Sequence, residues 1–216
     1  MAARNPELDF AIQDAAPLER AAAPTLRFGL RITAVRDEPI RSVLLDAQVQ
    51  IAARRRAYDD PTEERLYELF GEPQRWGSTL RTLPWTRATL AVPAFTGATT
   101  VDLTVPCTYD FEVAASRYLD ALRDGDVPLE FLFGGTVFYA DAHGLLKTGR
   151  IAWDKEAQYR LPVRVWRQTM DHYFPDSAWL RLRRESFDRL YAYKARHALT
   201  SWEDAVDSLV RASEGV

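Results

Sequence analysis

VDLTVPCTYDFEV, residues 101–113, sets apolar Val101, Leu103, Val105, Cys107, Tyr109, Phe111 and Val113 at every second position, with polar residues or proline between them. Period-two patterning marks a strand with one face on a core and the other in water. It puts Cys107 inward and Asp102, Asp110 and Glu112 outward. Straight, 13 residues would span about 43 Å, long for one globular strand. Pro106 stands mid-run with no N–H to give a ladder, so a bend or bulge is expected there, with Cys107 after it on the buried side.

The rest of the first two thirds repeats the pattern. Leu8, Phe10 and Ile12 make a short first strand before an alanine-rich connector, Ala15 to Pro24. Leu26, Phe28, Leu30 and Ile32 make a second, and after Asp37, Glu38 and Pro39 turn the chain, Leu45, Ala47, Val49 and Ile51 make a third. Asp60, Pro61, Glu63 and Glu64 start a short helix that Gly71 can close. Leu83 to Phe95 returns to extended character, with Pro84 and Pro93 marking an edge or bend. Leu129, Phe131 and Phe133 lead through Gly134 and Gly135, read as a bend or bulge, into Thr136 to Tyr139. Asp141 to Gly144 form a hairpin turn into Leu145 to Trp153.

From Pro162 the period becomes helical. Val163, Trp166 and Met170 form one segment ended by Pro175. A second helix fits Ala178 to Ala195, and a third begins at a capping box of Thr200 and Glu203. The expected fold is a single α+β domain over 1–216: an antiparallel β-sandwich or open barrel over 1–160 with an inserted helix near 61–70, and about three C-terminal helices over 161–216 packed on the β part.

Composition narrows the function classes. The 216 residues are 47% hydrophobic and 27% charged, which suits a globular chain. A net charge of -3 gives no general attraction to nucleic acid or an anionic membrane surface. The lone cysteine excludes an internal disulfide, the N-terminal residues lack a basic stretch followed by an apolar run, and no apolar segment approaches the roughly 18 residues of a membrane span. A cytoplasmic address, with neither membrane nor nucleic acid as partner, is the expectation.

The strings RRRAYDDPTEERLYELFGEP (Arg54 to Pro73), VPCTYDFEV (Val105 to Val113) and SWEDAVDSL (Ser201 to Leu209) resemble a mostly actinobacterial family of unknown function, over nearly the whole chain. Members are similar to proteins encoded beside nickel–iron hydrogenase subunits and maturation factors. The resemblance implies an accessory or assembly role and brings no site residues with it.

Candidate sites each have a plainer reading. Cys107 as a nucleophile would want exposure and a positive neighbour; an inward position near Asp110 and Glu112 fits a structural cysteine better. Asp110 and Glu112, about 6–7 Å apart on one strand face, could hold a cation or do acid–base work, or simply be solvated. His143 follows Asp141 in a turn, and His172 suits a helix C-terminus. There is no His-x-x-x-His, His-Glu-x-x-His, Cys-x-x-Cys, phosphate loop or Gly-x-Ser-x-Gly, and no metal or cofactor is expected. Arg54, Arg55 and Arg56, and Arg181, Arg183 and Arg184, are followed at once by acids that would neutralise them. Six tryptophans exceed what such a core needs, and Trp76, in a loop after the helix, is expected to be an exposed anchor.

Three functions compete on these residues. The missing motifs and the aromatic excess favour a non-catalytic protein-binding factor. An enzyme would need Arg54, Asp110, Glu112 and His143 in one pocket. A chaperone-like binder of apolar ligands or unfolded chains would need an apolar surface patch.

Overall fold

The computed structural model describes residues 5–36, 39–108, 110, 113–141, 143–175 and 181–214. The chain divides into a unit of Met1–Ala178 and a unit of Trp179–Val216.

The first unit is built on two antiparallel sheets. Strands β1 (Leu8–Pro17), β2 (Thr25–Ala34) and β5 (Ala98–Pro106) form one, in the order β1-β2-β5. Strands β3 (Ile40–Ile51), β4 (Leu83–Val92), β6 (Asp126–Ala140), β7 (Leu146–Arg150) and β8 (Glu156–Pro162) form the other, in the order β4-β3-β6-β7 with β8 also on β6. Alternation produces the core directly: Leu26, Phe28, Leu30 and Ile32 of β2 face Val43, Leu45, Ala47, Val49 and Ile51 of β3, and all are fully buried. Rings from the two sheets meet between them. Phe10 stacks on Phe133 at 4.4 Å, and Phe28 meets Phe131 edge-on at 5.2 Å. The result is an α+β fold with an open antiparallel core.

Several expected boundaries move. β1 runs on to Pro17, into the expected connector, because Ala15 and Ala16 continue its pairing opposite Phe28 and Arg27 after a register shift at Ile12/Asp14. The turn after β2 carries the chain from one sheet to the other, since β2 pairs β1 and β5 whereas β3 pairs β4 and β6. Gly134 and Gly135 make no bulge: β6 continues through them for 15 residues, in unbroken register with β3. They mark where its outer partner changes, from β8 along Asp126–Leu132 to β7 along Thr136–Ala140. β8 itself alternates Ala157, Tyr159 and Leu161, a short strand hidden by the helix that follows at once.

The opening stretch is shorter as a strand than its alternation suggests. Leu103 and Val105 point inward as expected, and β5 is an edge strand ending at Pro106, opposite Thr25. The Cys107 N–H gives one last bond to Pro24 O at 2.8 Å. Beyond it Thr108 turns the chain, its hydroxyl accepting from the Asp110 N–H (3.1 Å) and its carbonyl from the Ser116 hydroxyl (2.9 Å). Helix α3 (Ala114–Ala121) follows, burying Ala115, Tyr118 and Leu119. That spacing of three and four is helical. Tyr109, Phe111 and Glu112 lie outside the described residues.

Helix α1 (Asp60–Phe70) is capped by Asp59, one residue before the expected Asp60, whose carboxylate accepts from the Thr62 N–H at 3.1 Å. Gly71 ends it at φ 72°. A short turn of helix, α2 (Trp76–Thr79), precedes β4. Helix α4 (Val163–Tyr173) buries Val163, Trp166, Thr169 and Met170.

The second unit contains α5 (Arg184–Arg196) and α6 (Trp202–Glu214). α5 begins six residues after the expected Ala178, and residues 176–180 lie outside the described ones. The α6 cap is Ser201 with Asp204, one residue along from the expected pair: the Ser201 hydroxyl accepts from the Asp204 N–H (2.9 Å), and the Asp204 carboxylate accepts from the Ser201 N–H (3.0 Å). Among the described residues no helix is long and apolar enough to cross a membrane.

Candidate functional site

Of the four residues that an enzyme site would need together, Arg54 and His143 lie far apart. Arg54 sits in a 3-10 turn (Ala53–Arg55) after β3, its Nε–H donating to Leu80 O. His143 is exposed in the β6–β7 hairpin. Ile51 pairs Leu129 near the start of β6, and the hairpin lies beyond Ala140 at its other end, so Arg54 and His143 are separated by on the order of 35 Å of strand. Asp141, which could have oriented the imidazole, instead shapes the turn by accepting from the N–H groups of His143 (2.9 Å) and Leu145 (3.0 Å). Asp110 follows the end of β5, in the turn before α3. Glu112 lies outside the described residues. Among the described residues, no three His, Cys, Asp or Glu side chains form a group that could hold a metal.

Cys107 is buried, its Sγ–H directed at Val105 O at 3.6 Å. Burial pushes its thiol up to about 12, so the thiolate is disfavoured at neutral pH. The Tyr58 and Tyr118 hydroxyls meet at 2.8 Å, and burial raises both phenols above their ordinary range. These groups have folded-state values above unfolded ones, so their contribution is intact below about pH 9 and is lost as pH rises. For Cys107 the loss is about 1.4 kcal/mol per pH unit between the unfolded and folded values. The stability difference between wild type and Cys107→Ala, from denaturant unfolding, is expected to be constant from pH 6 to 8 and to shift in favour of the variant by pH 11. A difference independent of pH would contradict the burial of the thiol.

Trp76 is not the expected exposed anchor. It is 8% exposed, donates its indole N–H to Gly71 O at 2.9 Å and meets Tyr58 and Phe70 edge-on at 5.2 and 5.8 Å. The left-handed Gly71 turns the chain so that the indole falls back on the end of α1. The adjoining arginines are neutralised from far along the chain rather than by the acids that follow them. Arg55 pairs with Glu130 at 2.9 Å, and Arg56 bonds the carbonyls of Asp126 and Asp124 at 2.7 and 2.9 Å.

The exposed apolar residues lie elsewhere. Trp153, in the β7–β8 connection, is 96% exposed. The larger set is in the helical pair, where α6 buries Ala205 and leaves Trp202, Val206, Leu209 and Val210 between 38% and 48% exposed. On a helical projection these four form one stripe, and Glu203, Asp207 and Glu214 lie together along its flank. From α5, Phe187 and Tyr191 extend the stripe, with ring centroids 5.3 and 6.1 Å from Trp202. The seam between the helices is fixed separately by the hydroxyls of Tyr193 and Ser208 at 2.7 Å, and by Lys194, which donates to Thr200 O at 3.0 Å and lies 5.5 Å from the Trp202 ring. The periodicity of 202, 205, 206, 209 and 210 was legible as an amphipathic helix; that its apolar face stays uncovered was not, because pattern alone does not say what packs on it.

No curated protein matches the chain. Among solved structures it is similar to a β-glucosidase from Kluyveromyces marxianus (11% identity, TM-score 0.24, 72% of this chain and 15% of that one). It is likewise similar to β-glucosidase 3B from Thermotoga neapolitana (13% identity, TM-score 0.26, 72% and 17%). A protein described as late embryogenesis abundant (LEA) gives 13% identity and a TM-score of 0.31, over 73% of this chain and 72% of that one. The chain thus spans less than a fifth of either glucosidase, and none of these likenesses bears on activity. The sequence match is of another order, since it runs from residue 5 to residue 216, and on it the chain belongs to the Family of unknown function (DUF6084).

Proposed function

We propose that the chain is a non-catalytic accessory factor of the bacterial cytoplasm that binds a protein partner through the apolar face of α6. The observation that carries this reading is the uncovered stripe of Trp202, Val206, Leu209 and Val210 on a helix that buries only Ala205. Two short helices cannot enclose a core of their own. An amphipathic helix with aromatic anchors is also a recurrent way of entering a partner's groove. The acidic flank of Glu203, Asp207 and Glu214 fits a groove with a basic rim. The hydrogenase-gene context that the sequence resemblance implies makes nickel–iron hydrogenase subunits and their maturation factors the first partners to test.

The test compares full-length wild type with Val206→Glu/Leu209→Glu, a change on exposed positions that should leave the fold intact. A partner isolated with the wild type is expected to bind the purified variant at least tenfold more weakly, at an unchanged unfolding midpoint. Equal binding by the two proteins, or no partner for the wild type, overturns the reading.

A further inference from the structure

Three arginines gather on one surface of the first unit. Arg164 and Arg167 project from α4, and Arg123 faces them from the connection between α3 and β6; together with Asp171 and His172 they line a hollow of about 630 Å³. A second hollow of about 370 Å³, also lined by Arg123 and Arg164, adjoins it beside Asp124 and Asp126. Among the described residues, none of the three arginines makes an ion pair or a hydrogen bond. Asp126 lines the smaller hollow with Arg123 and Arg164, and the other carboxylates within reach are engaged or outnumbered. Asp124 pairs with Arg56 at 3.6 Å. Asp120, half-buried behind the wall, is raised by burial and held back by Arg123, Arg167 and Arg65 together. Among the described residues, Asp171 is the one carboxylate that lines the larger hollow, with Gln168 and His172 beside the three arginines.

The surroundings add to the positive potential. α4 has no acidic residue in its own first turn and no side-chain cap, so the positive end of its dipole lies beside Arg164, with Asp124 and Asp126 of the neighbouring strand start as the carboxylates near it. Like charges held around one hollow are stabilised by an anion that accepts from several of them. A planar carboxylate is satisfied by a single guanidinium fork, whereas a tetrahedral phosphate presents oxygens in several directions at once. The larger hollow is shallow and open to solvent, so an anion held there would keep part of its surface in water.

We propose that the shallow surface between Arg123 and the Arg164–Arg167 face of α4 binds a phosphate-bearing small molecule, with the three guanidinium groups as its anion-binding wall. This does not depend on the partner reading of α6, and either can fail without the other. The test uses the full chain and pyrophosphate as probe, followed through the arginine Nε–Hε resonances in a titration at low salt, with citrate titrated in parallel. Saturable shifts at Arg123, Arg164 and Arg167, and affinity at least tenfold weaker in Arg164→Gln/Arg167→Gln, are expected. Arg123→Gln, which lies off the helix, should weaken binding as well, while Arg87→Gln on the far sheet edge should not. Citrate binding as tightly as pyrophosphate would overturn the phosphate assignment. Unchanged affinity in the arginine variants, or equal shifts across all surface arginines, would overturn the site.

Discussion

Gly135→Ala is expected to cost about 4 kcal/mol or to prevent folding, the largest effect of any single methyl group in this chain. A Cβ at Gly135 would stand 2.1 Å from Leu44 O and 3.1 Å from the Leu44 carbonyl carbon, both backbone atoms of the neighbouring central strand. No rotamer change relieves a clash with backbone. The residue also sits at φ 132°, a conformation L side chains rarely adopt. The site is structurally central, because β3 pairs on one side of β6 there while the outer side passes from β8 to β7, with the Ile151 N–H bonding Gly135 O at 3.1 Å. Gly134 provides the control: a Cβ there meets nothing within 4 Å, and Gly134→Ala should fall within about 1 kcal/mol of wild type. Denaturant unfolding of the two variants side by side checks the claim, and similar midpoints would contradict it.

The second large effect is expected at the junction of the two sheets. Phe131 is fully buried, lies opposite Val49 on β3 and Ala157 on β8, and meets Phe28 of the other sheet edge-on. Phe131→Ala removes that contact and leaves a cavity that flanking strands cannot close without breaking register. A loss of about 3–5 kcal/mol is expected. Leu44, on the same sheet but half-exposed on the opposite face, should tolerate alanine within about 0.5 kcal/mol. Equal losses at the two positions would mean that the sheets do not pack through this face.

These two sites show where sequence reading succeeds and where it stops. Phe131 was legible, because alternation assigns each strand residue to a face, and a face with Leu129, Phe131 and Phe133 belongs inside. Gly135 was not, since two adjacent glycines signal a bend unless a second strand approaches closely enough to forbid a side chain, and that approach is a tertiary fact. The same limit explains the stretch from Val101 to Val113. Its alternation decided the sheet correctly as far as Pro106, and there the missing N–H and the Thr108 turn ended the strand. The helix that follows draws on Ala115, Tyr118 and Leu119, whose spacing was overlooked beside a continuing period of two.

The candidate site was less legible than the fold. Trp76 was expected outside because loops usually are, yet its indole caps α1 through Gly71 O. Arg54 and His143 could be named as chemical groups, but only pairing along β6 shows that they lie at opposite ends of it. Trp202, Val206, Leu209 and Val210 were visible as one helical face. What the sequence lacked was any sign that the face stays open.

The claim that this face binds a protein is tested most directly by placing a photo-crosslinking amino acid at position 206 of the full-length chain in its own cells. The account predicts one discrete adduct, whose captured protein binds the purified wild type and is lost from Leu209→Glu. Irradiation that gives no adduct from position 206, or an adduct unchanged by Leu209→Glu, would contradict it.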